Sequence, residues 1–288
     1  APAGAVDIAL NATPGVIAGL LLGFDAKATL LLAGITYISS SGIVSKVLRD
    51  FDRLGNRETP TVLSVLVLED LVMAIYLPVV GAVIVGASAG KALAAVVVAV
   101  AVVIVVLFGA LRYGNVLNRA LASRSDEALL LGVVGLTLLV AGAAQELNVS
   151  AAVGAFLVGI ALSGPVQSRA TVLIDPLRDL FAALFFLFFG LQIDPGDFFS
   201  ALGPAVALAV VTAGTKYATG VWAARRNDIG PRGQARAGAT LVARGEFSIV
   251  IAGLGAAAGV DSDLGSLAAA YVLILAAAGP ILARFIGR

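Results

Sequence analysis

Long apolar stretches separated by short polar ones repeat along the whole chain. A helix needs about 20 predominantly apolar residues to cross a bilayer, and about ten stretches come near that length. They lie at 3–23, 27–48, 60–87, 91–111, 127–146, 149–164, 173–192, 199–224, 235–258 and 264–286. The pattern predicts an all-α polytopic membrane protein with about ten spans. Segment 165–180 is amphipathic, so we expect part of it to lie in the membrane interface.

Composition supports this class and excludes others. The chain of 288 residues is 60% hydrophobic and 13% charged, against roughly 45–50% and about 25% in soluble domains. With 19 basic and 18 acidic residues, it offers no basic surface for a nucleic acid. It contains neither Cys nor His, so a disulfide framework, a Cys/His zinc site, a thiol nucleophile and a His base are excluded. We therefore expect no enzyme, no cofactor and no nucleic-acid partner.

The loop charges predict the orientation of the chain. Lys and Arg cluster in alternate loops, around residues 46–57, 112–124, 169–178 and 225–236 and in the tail, whereas the opposite loops hold Lys27 and Lys91. By the positive-inside rule the basic side is cytoplasmic. The C-terminus is then cytoplasmic too, in a cell inner (plasma) membrane. Because no soluble domain follows the last span, we expect a cytoplasmic regulatory domain to be absent or to belong to a separate subunit.

Charged side chains inside the predicted spans point to function. We count five: Glu69, Asp70, Lys216, Arg244 and Glu246. Each costs roughly 2.5–3.5 kcal/mol at mid-bilayer on insertion scales, and all five fall near the same depth. Adjacent helical residues point about 100° apart, so one Lys can hardly neutralise both neighbouring acids. At least one acid is then free for a mobile cation or proton.

Structural roles remain as alternatives for these charges. The two acids and Lys216 could form a salt-bridge network that ties spans together. Arg244 and Glu246 could simply neutralise each other.

The second span is interrupted by polar residues. It reads AGITYISSSGIVSKVL, in which Ser39, Ser40, Ser41 and Gly42 break an apolar run. Ser and Gly are weak helix formers, so an unwound stretch would free hydroxyls and backbone carbonyls as ligands for a monovalent cation. Close helix packing through small residues is the alternative.

Two segments resemble each other and predict an inverted repeat. Residues 33–44 and 237–248 both begin A-G-x-T and place a polar interruption six residues later. The second span runs inward and the ninth outward, so the two would be inverted copies. Paired interrupted spans, which cross at the midplane, are typical of secondary transporters.

Four stretches are similar to the Kef-type members of the cation:proton antiporter 2 family, which has the sodium/hydrogen exchanger-like fold. They are ISSSGIVSKVL, VLVLEDLVMAIYLPVV, LFFLFFGLQID and LVARGEFSIVIAGLG. The resemblance implies an antiporter, active in potassium transport and pH homeostasis, that exchanges a monovalent cation for H⁺ by alternating access, with K⁺ favoured over Na⁺. It implies a homodimer in contact with membrane lipids. It also implies that about three N-terminal spans of the family's thirteen are missing here.

The resemblance also divides the chain and assigns residue roles. Residues 1–288 would form one transport domain, with core spans in 1–87 and 199–288 and scaffold or dimer-type spans in 91–192. Asp70 matches the ion- and proton-carrying Asp, which would bind the monovalent cation. The other matched residues are Glu69 before it, the polar crossover residues Ser39, Ser40 and Ser41, and the charge partners Lys216, Arg244 and Glu246.

Two departures from the family pattern are visible. Glu69 stands where Kef-type exchangers have Gln and electrogenic sodium exchangers have Asp, so the cation and the stoichiometry stay open. Ala243 replaces the usual Pro before Arg244. A sodium-coupled organic-anion symporter of the same fold and a cation channel are the competing functions.

Overall fold

The computed structural model describes residues 2–84, 125–146, 162–191 and 195–286, with single residues and pairs within 86–121 and 154–161. These continuous ranges are mostly helical. In chain order the helices are α1 Pro2–Leu21, α2 Ala26–Tyr37, α3 Ser41–Asp50, α4 Thr59–Ile84, α5 Asp126–Glu146, α6 Gly164–Leu191, α7 Pro195–Arg226, α8 Pro231–Thr240, α9 Glu246–Ala257 and α10 Ser262–Phe285.

Six segments of the described part are long and apolar enough to cross a membrane. They are Ala3–Leu21, Ala26–Asp50, Thr59–Ile84, Asp126–Glu146, Phe199–Arg226 and Asp263–Phe285. The multi-pass, all-helical class is thereby confirmed, whereas the number of ten spans is not. The spans expected at 91–111 and 149–164 lie largely outside the described residues. Segment 165–180 belongs to α6, which continues without a break into the span expected at 173–192.

The exposed side chains agree with a lipid environment. Helix α5 presents Leu131, Leu138 and Leu139, each about 70% exposed, and α7 similarly exposes Val210. Water would disfavour such apolar faces, whereas lipid chains would not.

Local chemistry explains where the first interrupted helix begins and breaks. Asp25 caps α2 by accepting a hydrogen bond from the N–H of Ala28 at 2.7 Å. Helix α2 ends at Tyr37, and Ile38, Ser39 and Ser40 are non-helical. Ser40 then caps α3, because its hydroxyl accepts from the N–H of Ile43 at 3.1 Å. The polar residues that weaken the helix therefore also start the next one.

A second break separates α8 from α9, and the two breaks touch. Residues 241–245 are non-helical, and the N–H of Ser40 donates to the carbonyl of Ala243 at 2.9 Å. A Cβ on Gly245 would lie 2.5 Å from the Ser40 hydroxyl oxygen, so only glycine allows this approach. Broken-helix carbonyls and N–H groups thus find partners across the two breaks.

The chain divides into two compact units. Residues Ala1–Val72 with Gly190–Arg288 form the first, and Met73–Phe189 form the second. Both breaks and every charged residue singled out from the sequence lie in the first unit. The division of the chain into core and scaffold spans stays a prediction.

Candidate ion-binding site

Lys216 is the centre of a buried charge cluster. Its side chain in α7 is fully buried. Its ammonium donates to Asp7 Oδ1 at 2.7 Å and to the Tyr37 carbonyl at 3.0 Å. Its Nζ also lies 2.8 Å from Glu69 Oε1. An ammonium has three N–H donors, so all of them are used, two on carboxylates.

Asp7 is a further charge inside a predicted span, and it is buried, so the count of five intramembrane charges is too low. It lies in the first predicted span and is 1% exposed in α1. Asp7 is easily missed in the sequence because it lies near the start of an apolar run. A charged side chain at that place usually reaches the membrane interface. One signal does point to it: Asp7 and Asn11 are four residues apart, on one face of a helix.

Asn11 holds the Asp7 carboxylate from the same helix. Its amide nitrogen lies 2.9 Å from Asp7 Oδ1 and 3.0 Å from the Thr219 hydroxyl. The Thr215 hydroxyl donates to the Asn11 carbonyl oxygen at 2.9 Å. One turn of α1 is therefore bonded to one turn of α7 around the ion pair of Asp7 and Lys216.

Glu69 is bound at the first break. The N–H of Ser39 donates to Glu69 Oε2 at 2.5 Å, and the Ser39 hydroxyl lies 3.2 Å from Oε1. The same hydroxyl lies 3.0 Å from the carbonyl of Leu241 in the second break. Because a hydroxyl has one proton, it can donate to only one of these oxygens at a time.

Asp70 differs sharply from its neighbour Glu69. Its side chain is half-buried, and it makes no hydrogen bond or ion pair to any described residue. The charges of Glu69 and Glu246 both act on it. Within the described part of the chain, Asp70 is therefore a partly accessible carboxylate with acidic neighbours and no polar partner.

Ser40 and Glu246 link the two breaks from the other side. The Ser40 hydroxyl donates to Glu246 Oε2 at 2.8 Å, and the N–H of Gly42 lies 3.4 Å from Oε1. Ser41 begins α3 and is half-buried. In the described structure neither Ser39 nor Ser40 is bonded to Asp70.

Arg244 contacts backbone rather than acid. Its fully buried guanidinium donates to the Thr36 carbonyl at 3.0 Å, to the Tyr271 hydroxyl at 3.1 Å and to the Leu241 carbonyl at 3.3 Å. The alternative in which Arg244 and Glu246 neutralise each other is not observed, since no ion pair joins these two described residues. Arg244 instead donates to carbonyls of both interrupted helices, those of Thr36 and Leu241.

The cluster has a clear electrostatic character. Asp7, Glu69, Asp70 and Glu246 bring four carboxyl groups to one unit, and Lys216 and Arg244 bring two positive charges. Among the described residues no three acidic side chains converge as ligands of a metal ion. Of the four carboxyl groups, that of Asp70 lacks a hydrogen-bond or ion-pair partner among the described residues.

The family of the chain follows from comparison with known proteins. A family model described as sodium/hydrogen exchanger, transmembrane, matches residues 3–286. The matched region covers nearly the whole chain and includes both breaks and the charge cluster.

Individual relatives are similar along almost the same length. The K(+)/H(+) antiporter subunit KhtU of Bacillus subtilis is 37% identical over 98% of this chain and 70% of its own length. The ammonium/H(+) antiporter subunit AmhT of Alkalihalophilus pseudofirmus is 33% identical over 98% of this chain and 72% of its own. The Na(+)/H(+)-K(+) antiporter GerN of Bacillus cereus is 23% identical over 91% of this chain and 68% of its own length.

Proposed function

Because the chain belongs to the sodium/hydrogen exchanger family, we propose that it is a secondary active antiporter exchanging a monovalent cation for H⁺. The relatives described above are each named for exchange of a monovalent cation against protons. The chain itself is a multi-pass membrane protein of a transporter family, not of an enzyme family.

The Asp70 carboxylate, which has no polar partner in the described part of the chain, is the observation on which this function rests. A carboxylate binds either a proton or a cation, and competition for one site couples the two fluxes without further machinery. Glu69 is occupied by Lys216 and Ser39, so Asp70 is the acid available to a mobile ion. Oxygens of Ser39, Ser40 and Ser41 and carbonyls freed by the breaks would complete the shell of the cation.

We favour K⁺ over Na⁺ as the transported cation. The support is the likeness to a relative named as a K(+)/H(+) antiporter subunit. The relative named for ammonium makes NH₄⁺, an ion of similar size and equal charge, the competing substrate.

We further propose the features that accompany this activity. The two broken helices would be inverted repeats, and the core spans in 1–87 and 199–288 would move against scaffold spans in 91–192 to give alternating access. The protein would lie among the lipids of an inner membrane as a homodimer with a cytoplasmic C-terminus. Since two relatives are named as subunits, a separate regulatory subunit is the partner we expect.

A pH-gradient assay in everted membrane vesicles tests the function. A respiratory substrate acidifies the lumen and quenches a pH-sensitive dye, and K⁺, Na⁺, NH₄⁺ or choline is then added. We expect K⁺ to restore fluorescence in vesicles with the wild-type protein and choline to have no effect. With the Asp70→Asn variant, K⁺ should not restore fluorescence either. Cation flux without proton movement would indicate a channel, and Na⁺-driven uptake of an organic anion a symporter; either would overturn the proposal.

A further inference from the structure

We propose that Tyr37 is a further binding residue for the transported cation, and that its hydroxyl oxygen joins the shell of that ion. This inference rests on the antiport proposed above and deepens it. It concerns a side chain to which neither the sequence motifs nor the family resemblance gives a role. The hydroxyl acts as a neutral oxygen ligand, and no proton transfer by the tyrosine is involved.

Tyr37 is placed by the first helix break. It is the last residue of α2, directly before the non-helical residues 38–40, and it is 3% exposed. Its backbone carbonyl accepts from Lys216 at 3.0 Å, and the centroid of its ring lies 5.3 Å from the same ammonium nitrogen. The backbone and the ring therefore both contact the charge cluster, and the hydroxyl remains to be explained.

The hydroxyl of Tyr37 is buried without a hydrogen-bond partner among the described residues. Buried polar groups are nearly always bonded, because an unpaired hydroxyl away from water costs free energy. Tyr271 shows the usual state, since its hydroxyl donates to Thr212 at 3.0 Å and accepts from Arg244 at 3.1 Å. A phenylalanine at position 37 would keep the ring and avoid the cost, so the hydroxyl calls for a polar partner other than a described side chain.

A second oxygen in the same condition belongs to the same cluster. Among the described residues, the buried side-chain atoms that lack a hydrogen bond are the Tyr37 hydroxyl and Asp7 Oδ2. The other oxygen of Asp7 lies 2.7 Å from Lys216 Nζ, the ammonium that the Tyr37 ring faces. Two oxygens beside one ammonium thus have lone pairs to offer to an ion or to the water that accompanies it.

The charges that act on the hydroxyl are carboxylates. They belong to Asp7, Glu69 and Asp70. Asp7 and Glu69 are each paired with Lys216, within 2.8 Å, whereas Asp70 has no polar partner in the described part of the chain. A cation held by Asp70 needs more oxygens than one carboxylate has, and neutral oxygens can replace its hydration shell. The Tyr37 hydroxyl can supply one from the end of α2.

Tyr37→Phe tests the inference, because it removes the hydroxyl oxygen and keeps the ring beside Lys216. Purified protein in proteoliposomes, with a pH dye inside, gives exchange rates over a range of K⁺ concentrations. We expect the apparent KM for K⁺ to rise about tenfold, as for the loss of one polar contact to an ion. The maximal rate should change far less.

Thermal stability is the readout that separates a binding role from a structural one. Removing a buried hydroxyl that has no partner should leave the unfolding temperature in detergent equal to that of wild type or raise it. K⁺ should protect wild type against unfolding, and Tyr37→Phe should need about tenfold more K⁺ for the same protection. Choline at equal ionic strength measures the unspecific effect of salt.

Tyr217→Phe is the matched control. Tyr217 follows Lys216 in α7, is half-buried, and its ring lies against Gly238. The variant should keep the wild-type KM and the wild-type protection by K⁺. Equal changes of KM in the two tyrosine variants would overturn the specific role of Tyr37.

The remaining outcomes each decide the question. An unchanged KM and unchanged protection by K⁺ in Tyr37→Phe would overturn the role of Tyr37. A Tyr37→Phe protein that unfolds at a lower temperature or fails to accumulate would show that the hydroxyl has a structural partner, which overturns it too. No exchange by wild type with K⁺, Na⁺ or NH₄⁺ would refute the antiport itself, whereas wild-type exchange beside an unaffected Tyr37→Phe would refute this inference alone.

Discussion

The backbone N–H of Ser39 donates to Glu69 Oε2 at 2.5 Å, although 30 residues separate the two in the chain. This bond fastens α4 to the first helix break and leaves the next acid, Asp70, beside the break without a partner of its own among the described residues.

Replacing Asp70 with Asn should abolish cation-driven proton movement, because an amide cannot exchange a proton for a cation. The protein should insert normally and unfold in detergent at a temperature equal to or above that of wild type, since an unpaired charge beside two acids has been removed. Dye dequenching and membrane yield, measured on the same vesicles, separate these effects. Substantial cation-driven proton movement in the variant would contradict the assignment of Asp70 as the carrier.

Replacing Ser39 or Ser40 with Ala should weaken cation binding more than it slows turnover. The Ser39 hydroxyl orients Glu69, and the Ser40 hydroxyl orients Glu246 across the breaks. Loss of one hydrogen bond to a charged group costs about 1.5–3 kcal/mol, which corresponds to a KM raised about ten- to a hundredfold. Initial rates over a range of K⁺ concentrations measure KM and kcat separately. An unchanged KM in both variants would favour a packing role for these serines.

Gly245→Ala should disrupt the close contact between the two breaks. The added Cβ would lie 2.5 Å from the Ser40 hydroxyl oxygen and 2.7 Å from its Cβ, closer than non-bonded atoms allow. We expect a destabilisation of about 1–3 kcal/mol, typical of overpacking. Gly253→Ala in α9 is the matched control, because the Cβ that alanine adds there meets no described atom within 4 Å. Equal thermal unfolding curves for the two variants would contradict the close approach.

Glu58→Gln should destabilise the protein near neutral pH but not in acid. Burial raises the pKa of Glu58, yet hydrogen bonds from Arg236 and Asn56 and the Arg236 charge outweigh it and hold the pKa below its usual range. A lowered folded pKa means that the stabilisation is present above the unfolded pKa and disappears as the pH falls through the folded one.

We therefore expect Glu58→Gln to cost about 1.5–3 kcal/mol at pH 7, with the difference from wild type closing below about pH 4. Thermal unfolding in detergent, followed by Trp222 fluorescence at pH 7 and in acid, measures the destabilisation and its loss at low pH. Asp50→Asn, which removes the exposed pair with Lys46, is the control and should cost less than about 1 kcal/mol. If the loss of stability in Glu58→Gln relative to wild type were the same in acid, the ion pair with Arg236 would be contradicted.

Local sequence determined the elements of this protein. Apolar runs near bilayer length predict the helices, because an unpaired backbone cannot lie in lipid and must bond within its own segment. The serines at 39–41 predict the first break, since weak helix formers with hydroxyls both interrupt one helix and cap the next. The likeness of segment 237–248 to segment 33–44 predicts the second break, and the adjacent acids predict that one Lys cannot satisfy both.

Tertiary structure alone decided which charges meet. Arg244 and Glu246 are two residues apart, yet the extended backbone at Gly245 sends one to the carbonyls and the other to Ser40. Asp7 and Lys216 are 209 residues apart, yet they form a buried ion pair of 2.7 Å. A charge in a low-dielectric interior takes whatever partner the packing of helices brings within reach, and neither periodicity nor composition contains that distance.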